Sequence, residues 1–267
     1  MKKIELIAVG SDPEVFIKDH ENNLRASFEF ISGTKDSAFY FNEHVSVLCD
    51  NVMVEYTTTP SVSKEDFIRN NFEAQSLVKE LLPENISFIK DVFVEIDDKM
   101  MQNPIAQEFG CSPDFNAYTK GKNTPPKASE RGRSAGGHVH VSWKNPTKEQ
   151  QYTLIKALDL HLGLPAMFLD KDVRRKQLYG KAGCFRPKPY GAEYRVLSSF
   201  WIHDLELLGF VYDSVIRAID YVNTGNLLSD VEMDVIRQCI DNNDIVTASM
   251  LTKKYNITCV KMTEEVS

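Results

Sequence analysis

Three short runs of this chain share one arrangement, in which two polar side chains flank a single spacer: Asp12 and Glu14, His138 and His140, Glu193 and Arg195. Residues two apart on an extended strand face the same way, so each run would present both functional groups on one side. Val139 and Val141, or Tyr194 and Val196, would then point to the other. A fourth run, Asn51 to Tyr56, sets Asn51 and Glu55 on one side and Val52, Val54 and Tyr56 on the opposite one. Carboxylates crowded on a common face repel one another unless a cation lies between them. Hard oxygen ligands with an imidazole suit Mg²⁺ or Mn²⁺. A solvated strand face also produces carboxylates two apart, and paired histidines also serve as ordinary surface or core groups. The recurrence in four runs is what favours a metal-lined site.

Four strands of this design predict an α+β fold: an antiparallel sheet with its apolar face packed on helices and its polar face lining a concave site. The helices announce themselves by capping. Ser63 to Asp66 and Thr147 to Gln150 read as capping boxes. Behind the first, Phe67, Ile68, Ala74, Leu77, Val78 and Leu81 recur at helical spacing as far as Pro83; behind the second, Leu154, Ile155, Leu158, Leu162 and Met167 do so, with a kink expected at Pro165. A third helix is expected from about His203 to Val222, and two short ones between Ser229 and Tyr255. The division this suggests is a main domain over 1–225 and a small helical appendage over 226–267, with the last ten residues frayed. The stretch from Asp114 to Ser134, rich in Lys, Gly, Pro and Ser, reads as a long mobile loop.

The 267 residues, 42% hydrophobic and 26% charged, suit a globular chain able to bury a sizeable core. Its longest apolar runs, such as Ile4 to Val9 and Leu205 to Val211, are far shorter than a membrane span, and the amino terminus does not read as a signal peptide. A cytoplasmic location is the default expectation, with no membrane partner. A net charge of -7 argues against bulk nucleic-acid binding. The five cysteines are scattered without a CxxC pair, which favours reduced thiols. Neither a Walker A run nor GxGxxG is present, so a nucleotide would have to bind by other means. Cys111 and Cys184 stand in no recognised Cys-His arrangement, and His20, His44, His161 and His203 read as structural or surface groups.

The segment Gly10-Ser11-Asp12-Pro13-Glu14-Val15-Phe16-Ile17 resembles the glutamine synthetase strand that carries an acidic residue, a spacer and a metal-binding glutamate. Ser134-Ala135-Gly136-Gly137-His138-Val139-His140-Val141-Ser142 is similar to that superfamily's glycine-rich turn into a His-x-His-x-Ser strand. Glu193-Tyr194-Arg195 resembles its late Glu-x-Arg pair, and the three follow the family's order. Asp50-Asn51-Val52-Met53-Val54-Glu55, Phe109-Gly110-Cys111-Ser112-Pro113-Asp114 and Tyr179-Gly180-Lys181-Ala182-Gly183-Cys184-Phe185-Arg186 point to a narrower branch, the phage-encoded amidoligase type 2 family. The likeness spans roughly residues 5 to 205.

This resemblance implies a glutamine synthetase catalytic-domain-like fold, with a curved sheet cradling two or three divalent ions and ATP phosphates held between those ions and arginines. Asp12, His138 and Glu193 would ligate one ion; Glu14 and Glu55 would ligate another. Asp12 is a methylene shorter than the glutamate common in glutamine synthetase. His140 would sit nearer the nucleotide, and Arg195, Arg186 and Lys181 would hold the transferring phosphoryl group. The implied reaction activates a carboxylate as an acyl phosphate and couples it to an amine, with small-molecule or peptide substrates. Arg131, Arg133, Arg174 and Arg175 could extend the basic wall, and a charged loop and helix end explain them equally well. A metal-dependent hydrolase would use the same residues to activate water, and a non-catalytic binding protein could keep the fold.

Overall fold

A computed structural model describes residues 2–107, 114–123 and 131–257. Cys111, Cys259, the last ten residues and 124–130 of the expected loop lie outside the described residues. The ends of that loop are not irregular: Phe115–Asn116 is an edge strand of the main sheet, and Gly132–Ser134 pairs with Phe93–Glu95 in a two-stranded sheet. Glycine and serine in these pieces mask their strand character, because the pairing partners rather than local propensity decide it.

The main sheet has eight strands: β1 (Leu6–Val15), β2 (Phe39–Tyr40), β3 (Ser46–Asp50), β4 (Met53–Tyr56), β5 (Phe115–Asn116), β6 (Gly137–Trp143), β7 (Cys184–Lys188) and β8 (Gly191–Tyr194). They run in the order β2-β3-β4-β1-β6-β8-β7-β5 with every pairing antiparallel. Three further short strands, Ile17–Asp19, Leu24–Arg25 and Ile86–Phe88, form a separate sheet. The expected run from Asn51 to Tyr56 is not one strand. Asn51 sits in the left-handed region at φ 62° and, with Val52, makes the two-residue turn of a hairpin in which Asp50 pairs with Met53. Asparagine tolerates that conformation because its short amide bonds locally. Its side chain accepts from the Val52 amide and the Arg133 Nε and donates to the Ala106 carbonyl.

The helices are α1 (Lys64–Glu80), α2 (Lys148–Leu158), α3 (Leu205–Asn223), α4 (Asp230–Asn242) and α5 (Ile245–Lys254). Thr147 and Gln150 form the expected reciprocal cap on α2. On α1 only half of it forms: Ser63 Oγ accepts from the Asp66 amide, while the Asp66 carboxylate takes the Ser63 hydroxyl instead of the backbone, being too short to reach back. Asp204 caps α3, one residue later than expected. In place of a simple kink at Pro165, α2 passes into a π-helical turn over Asp159–Gly163. Proline lacks the N–H that would continue the ladder, and the wider turn absorbs the break.

Strand alternation sorts the sheet. Val9, Val15, Val54, Tyr56, Val139, Val141, Phe185, Ala192 and Tyr194 enter one apolar core with Phe67, Val78, Leu154 and Leu158 from the helices. Ile236, Cys239, Ile240, Ala248 and Leu251 of α4 and α5 join that core, packing these helices on the 159–166 segment. No helix among the described residues is long and apolar enough to cross a membrane.

Phe67 is wholly buried, its ring 6.0 Å from that of Trp201 and 5.8 Å from that of Tyr212. Phe67→Ala is expected to lower the free energy of unfolding by about 3–5 kcal/mol, since truncation leaves a cavity as well as lost burial. Val62→Ala, at an exposed position, is expected to change it by less than about 0.5 kcal/mol. Chemical denaturation of both variants checks the contrast.

Candidate active site

The face of the sheet turned away from the helices carries the polar members of the alternation. Register fixes their neighbours: Glu14 stands opposite Glu55, Asp12 opposite His138, His140 opposite Glu193, and Glu193 opposite Arg186. Read across strands β3, β4, β1, β6, β8 and β7, the row runs Asp50, Glu55, Glu14 with Asp12, His138 with His140, Glu193, then Arg186 with Lys188. Acids occupy one end and bases the other.

Two groups of ligand atoms form within this row, each with its atoms mutually within 4.8 Å: Asp12, His140 and Glu193, and Glu14, Asp50 and Glu55. The first takes its imidazole from His140, which the resemblance set nearer the nucleotide. His138 lies between the groups, with Nδ1 3.4 Å from Asp12 Oδ1 and 3.8 Å from Glu193 Oε1, and Nε2 4.0 Å from Glu14 Oε1. Arg195 Nη1 sits 3.1 Å from His138 Nδ1. Gly136 makes the arrangement possible. A Cβ there would stand 2.3 Å from His138 Nε2, and its amide donates to Glu14 Oε2 at 2.6 Å. His140 is oriented by Tyr190, whose hydroxyl is 2.6 Å from Nδ1.

The electrostatics of the two groups differ in sign. Burial raises the Asp12 carboxyl, but His140 and His138 beside it outweigh that and hold it well below the ordinary range. Burial and Asp12 push Glu193 up, yet Arg195 and the two imidazoles bring it down to about 2. Glu193 touches Arg195, Arg186 Nη1 at 3.4 Å and Lys188 Nζ at 2.8 Å. Glu14 and Glu55 move the other way. Burial raises both, and Asp50 raises both further; Asp12 and Glu14 add to the rise at Glu55. Arg186, Lys188 and Arg195 gather at one end of the row; at the other, three clustered carboxylates meet the Lys35 ammonium, 2.7 Å from Asp50 Oδ1.

The donor sets fit divalent ions. Three carboxylates suit a hard cation such as Mg²⁺, and two carboxylates with an imidazole suit Mg²⁺ or Mn²⁺. Asp12 Oδ1 and His140 Nε2 are buried and 2.9 Å apart, close enough for one cation to take both.

The remaining candidates divide. Arg186 and Arg195 face the row, and Arg195 is further fixed by Asp114, whose Oδ1 is 2.7 Å from Nε. Lys181 is exposed in the turn before β7, and no polar contact among the described residues joins it to the carboxylates. Arg131 and Arg174 pair at the surface with Asp98 and Asp172. Arg133 and Arg175 are buried as clamps, Arg133 holding the hairpin tip through Asn51 and Arg175 donating to Ser134 Oγ at 2.9 Å. The Cys184 thiol is pushed by burial up to about 12, which removes it as a nucleophile at neutral pH. Asp50 and Lys188 went unread in the sequence. Lys188 follows Arg186 at the strand spacing of two, a signal that was there to find, whereas Asp50 becomes visible only once Asn51 is known to be a turn.

One family model, described as Phage phiEco32-like COOH.NH2 ligase-type 2, matches residues 9–211. No curated protein and no solved structure matches the chain.

Raised carboxyls favour the protonated form in the fold, so the stability that Glu14 and Glu55 contribute is present below the ordinary carboxylate pKa of about 4.3 and is lost as pH rises through their elevated values. Glu55→Gln is therefore expected to raise the denaturation midpoint of the metal-free protein at neutral pH and flatten its decline above the carboxylate range. Mg²⁺ at about a hundred times its Kd is expected to stabilise wild type by about 2.7 kcal/mol, an increment the variant largely loses. Thermal denaturation with EDTA and with Mg²⁺ measures both.

Proposed function

The chain belongs to the phage phiEco32-like COOH.NH2 ligase type 2 family, and from that membership we propose that it is an ATP-dependent carboxylate-amine ligase working through an acyl phosphate on a glutamine synthetase-like sheet. The observation that carries this reading is the sorted row itself: three carboxylates and a second acid-imidazole group lie on the same sheet face as Arg186, Lys188 and Arg195. Phosphoryl transfer involves little covalent work by the protein and much positioning of cations around anionic oxygens, which is what this face can supply.

In the reaction, a carboxylate oxygen of the first substrate attacks the γ-phosphorus of ATP and ADP leaves. The amine nitrogen of the second substrate then attacks the acyl carbon, phosphate departs with the C–O electron pair, and the nitrogen gives up a proton. Divalent ions, when bound, neutralise phosphate oxygens and align them for the transfer. Glu14, Asp50 and Glu55 would hold one ion; Asp12, His140 and Glu193 would hold another. Arg195 and Arg186 would direct their forks at the transferring phosphoryl oxygens. Glu193 aims both guanidinium groups, and Asp114 fixes Arg195 from behind. His138 lies between the two carboxylate groups and would orient them. The carboxylate and amine are small molecules or peptides in this reading, with no nucleic-acid or membrane partner and a cytoplasmic setting.

Calorimetry of ATP binding with Mg²⁺ and again with EDTA provides the test, followed by trapping with hydroxylamine, which turns an acyl phosphate into a hydroxamate. Binding that requires Mg²⁺, and hydroxamate that appears only with ATP and a carboxylate, are expected. Glu193→Ala and Arg195→Ala are each expected to lower hydroxamate formation about 10²-fold or more, the size of losing one transition-state electrostatic contact. ATP binding indifferent to metal, or no ATP binding at all, overturns the proposal and leaves a hydrolytic use of the same groups in its place.

A further inference from the structure

We infer that Lys35 is an exchangeable counter-ion of the Glu14, Asp50 and Glu55 group, one that opposes divalent-cation binding there until a phosphate-bearing anion arrives. The inference rests on the metal-binding part of the function proposed above and assigns a residue to which neither the sequence nor the family match gives a role. Lys35 Nζ lies 2.7 Å from Asp50 Oδ1; its side chain is 38% exposed, whereas that of Asp50 is 6% exposed. Its charge also bears on Glu55, where it acts against the rise caused by burial and by neighbouring carboxylates. A solvent-reaching ammonium thus ends inside a carboxylate group that three strand-borne side chains hold in place.

The mount of this lysine is tied down along its backbone. Thr34 and Ser37 exchange backbone hydrogen bonds at 2.9 and 3.2 Å, which puts Lys35 at the tip of a tight turn. The Gly33 carbonyl accepts from the Cys49 amide at 2.8 Å, tying the turn to β3 one residue before Asp50. A Cβ on Gly33 would stand 2.3 Å from the Val47 carbonyl oxygen, so the turn is seated flush against the strand. Four methylenes and freely rotating donors let an ammonium change partners without moving its backbone.

Two cations cannot share these carboxylates at close range without repulsion. A divalent ion entering the group must therefore displace Nζ, and the anchored turn keeps the displaced ammonium within a side chain's length of the ion. That position is favourable only with an anion between them, which phosphate oxygens provide. The coupling is reciprocal: without the anion Lys35 weakens cation binding, and with it Lys35 strengthens binding of the cation-anion complex.

The test titrates the 267-residue chain with Mn²⁺, following free Mn²⁺ by its paramagnetic resonance, and repeats the titration with the Mn²⁺ complexes of tripolyphosphate and of ATP. Tripolyphosphate separates recognition of phosphate from recognition of adenosine. Lys35→Met is expected to bind Mn²⁺ alone about tenfold more tightly than wild type and to bind both complexes about tenfold more weakly, the scale of one partly buried charge contact. Lys35→Arg, which keeps the charge, is expected to stay near wild type for Mn²⁺ alone. Unchanged or weaker Mn²⁺ binding by Lys35→Met, or unchanged binding of the complexes, overturns the inference while leaving the metal site intact. Equal Mn²⁺ affinity in wild type and Glu55→Gln overturns the carboxylate site and this inference together.

Discussion

Two glutamates facing each other across a strand pair set the terms for this molecule. Glu14 on β1 and Glu55 on β4 are in direct register, an arrangement in which like charges destabilise a sheet, and both are largely withdrawn from water. Nothing in the packing of the apolar face requires acids at these positions, because alternation would accept any polar residue there. The cost is borne locally, through carboxyls driven above their ordinary range, and Asp50 deepens it. At the other end of the same face the protein does the reverse, surrounding Glu193 with Arg195, Arg186 and Lys188 until its carboxyl falls to about 2. The contrast separates a carboxylate already set among guanidinium and ammonium groups from carboxylates set mainly against one another.

The backbone behind the row is arranged to keep these groups where they are. Gly136 leaves room for the His138 ring and turns its amide onto Glu14. Arg175, buried with Ser134 and near the Arg195 carbonyl, joins the small sheet to the end of β8. The far side of the sheet is also tied in: Tyr194, one residue from Glu193, donates its hydroxyl to Asp159 in the π-helical turn at 2.8 Å, and Asp159 is held by burial at about 7. The Ala182 amide donates to Asp241 of α4 at 2.8 Å, so a carboxy-terminal helix anchors the turn leading into β7 and Arg186.

The legible parts of the fold were those that a single element encodes. Spacing of two gave the shared faces of Asp12 with Glu14 and His138 with His140, and caps at Ser63 and Thr147 marked helix starts because the side-chain acceptor and the orphan amides lie within four residues of each other. What the sequence concealed depends on partners far along the chain. Asp50 joins Glu14 only because a hairpin folds β3 onto β4 and β4 onto β1. His140 joins Asp12 and Glu193 because β6 lies between β1 and β8, which sets it opposite Glu193 and beside Asp12. Lys35 reaches Asp50 through a turn whose seat on β3 no local pattern announces. The Asn51 misassignment has the same root: polar-apolar alternation continues through a two-residue turn, so periodicity alone does not see the reversal.

The ordering of charge across the sheet gives the face a direction. From β3 to β7 there are five steps between neighbouring strands, about 24 Å at the usual strand spacing, with acids at the start and bases at the end. A ligand lying across those strands meets a surface with unlike ends, so turning it round would set its anions against carboxylates and its cations against guanidinium groups. The sheet therefore distinguishes head from tail before any individual contact is made, and an extended, oppositely charged molecule has one orientation in which to settle.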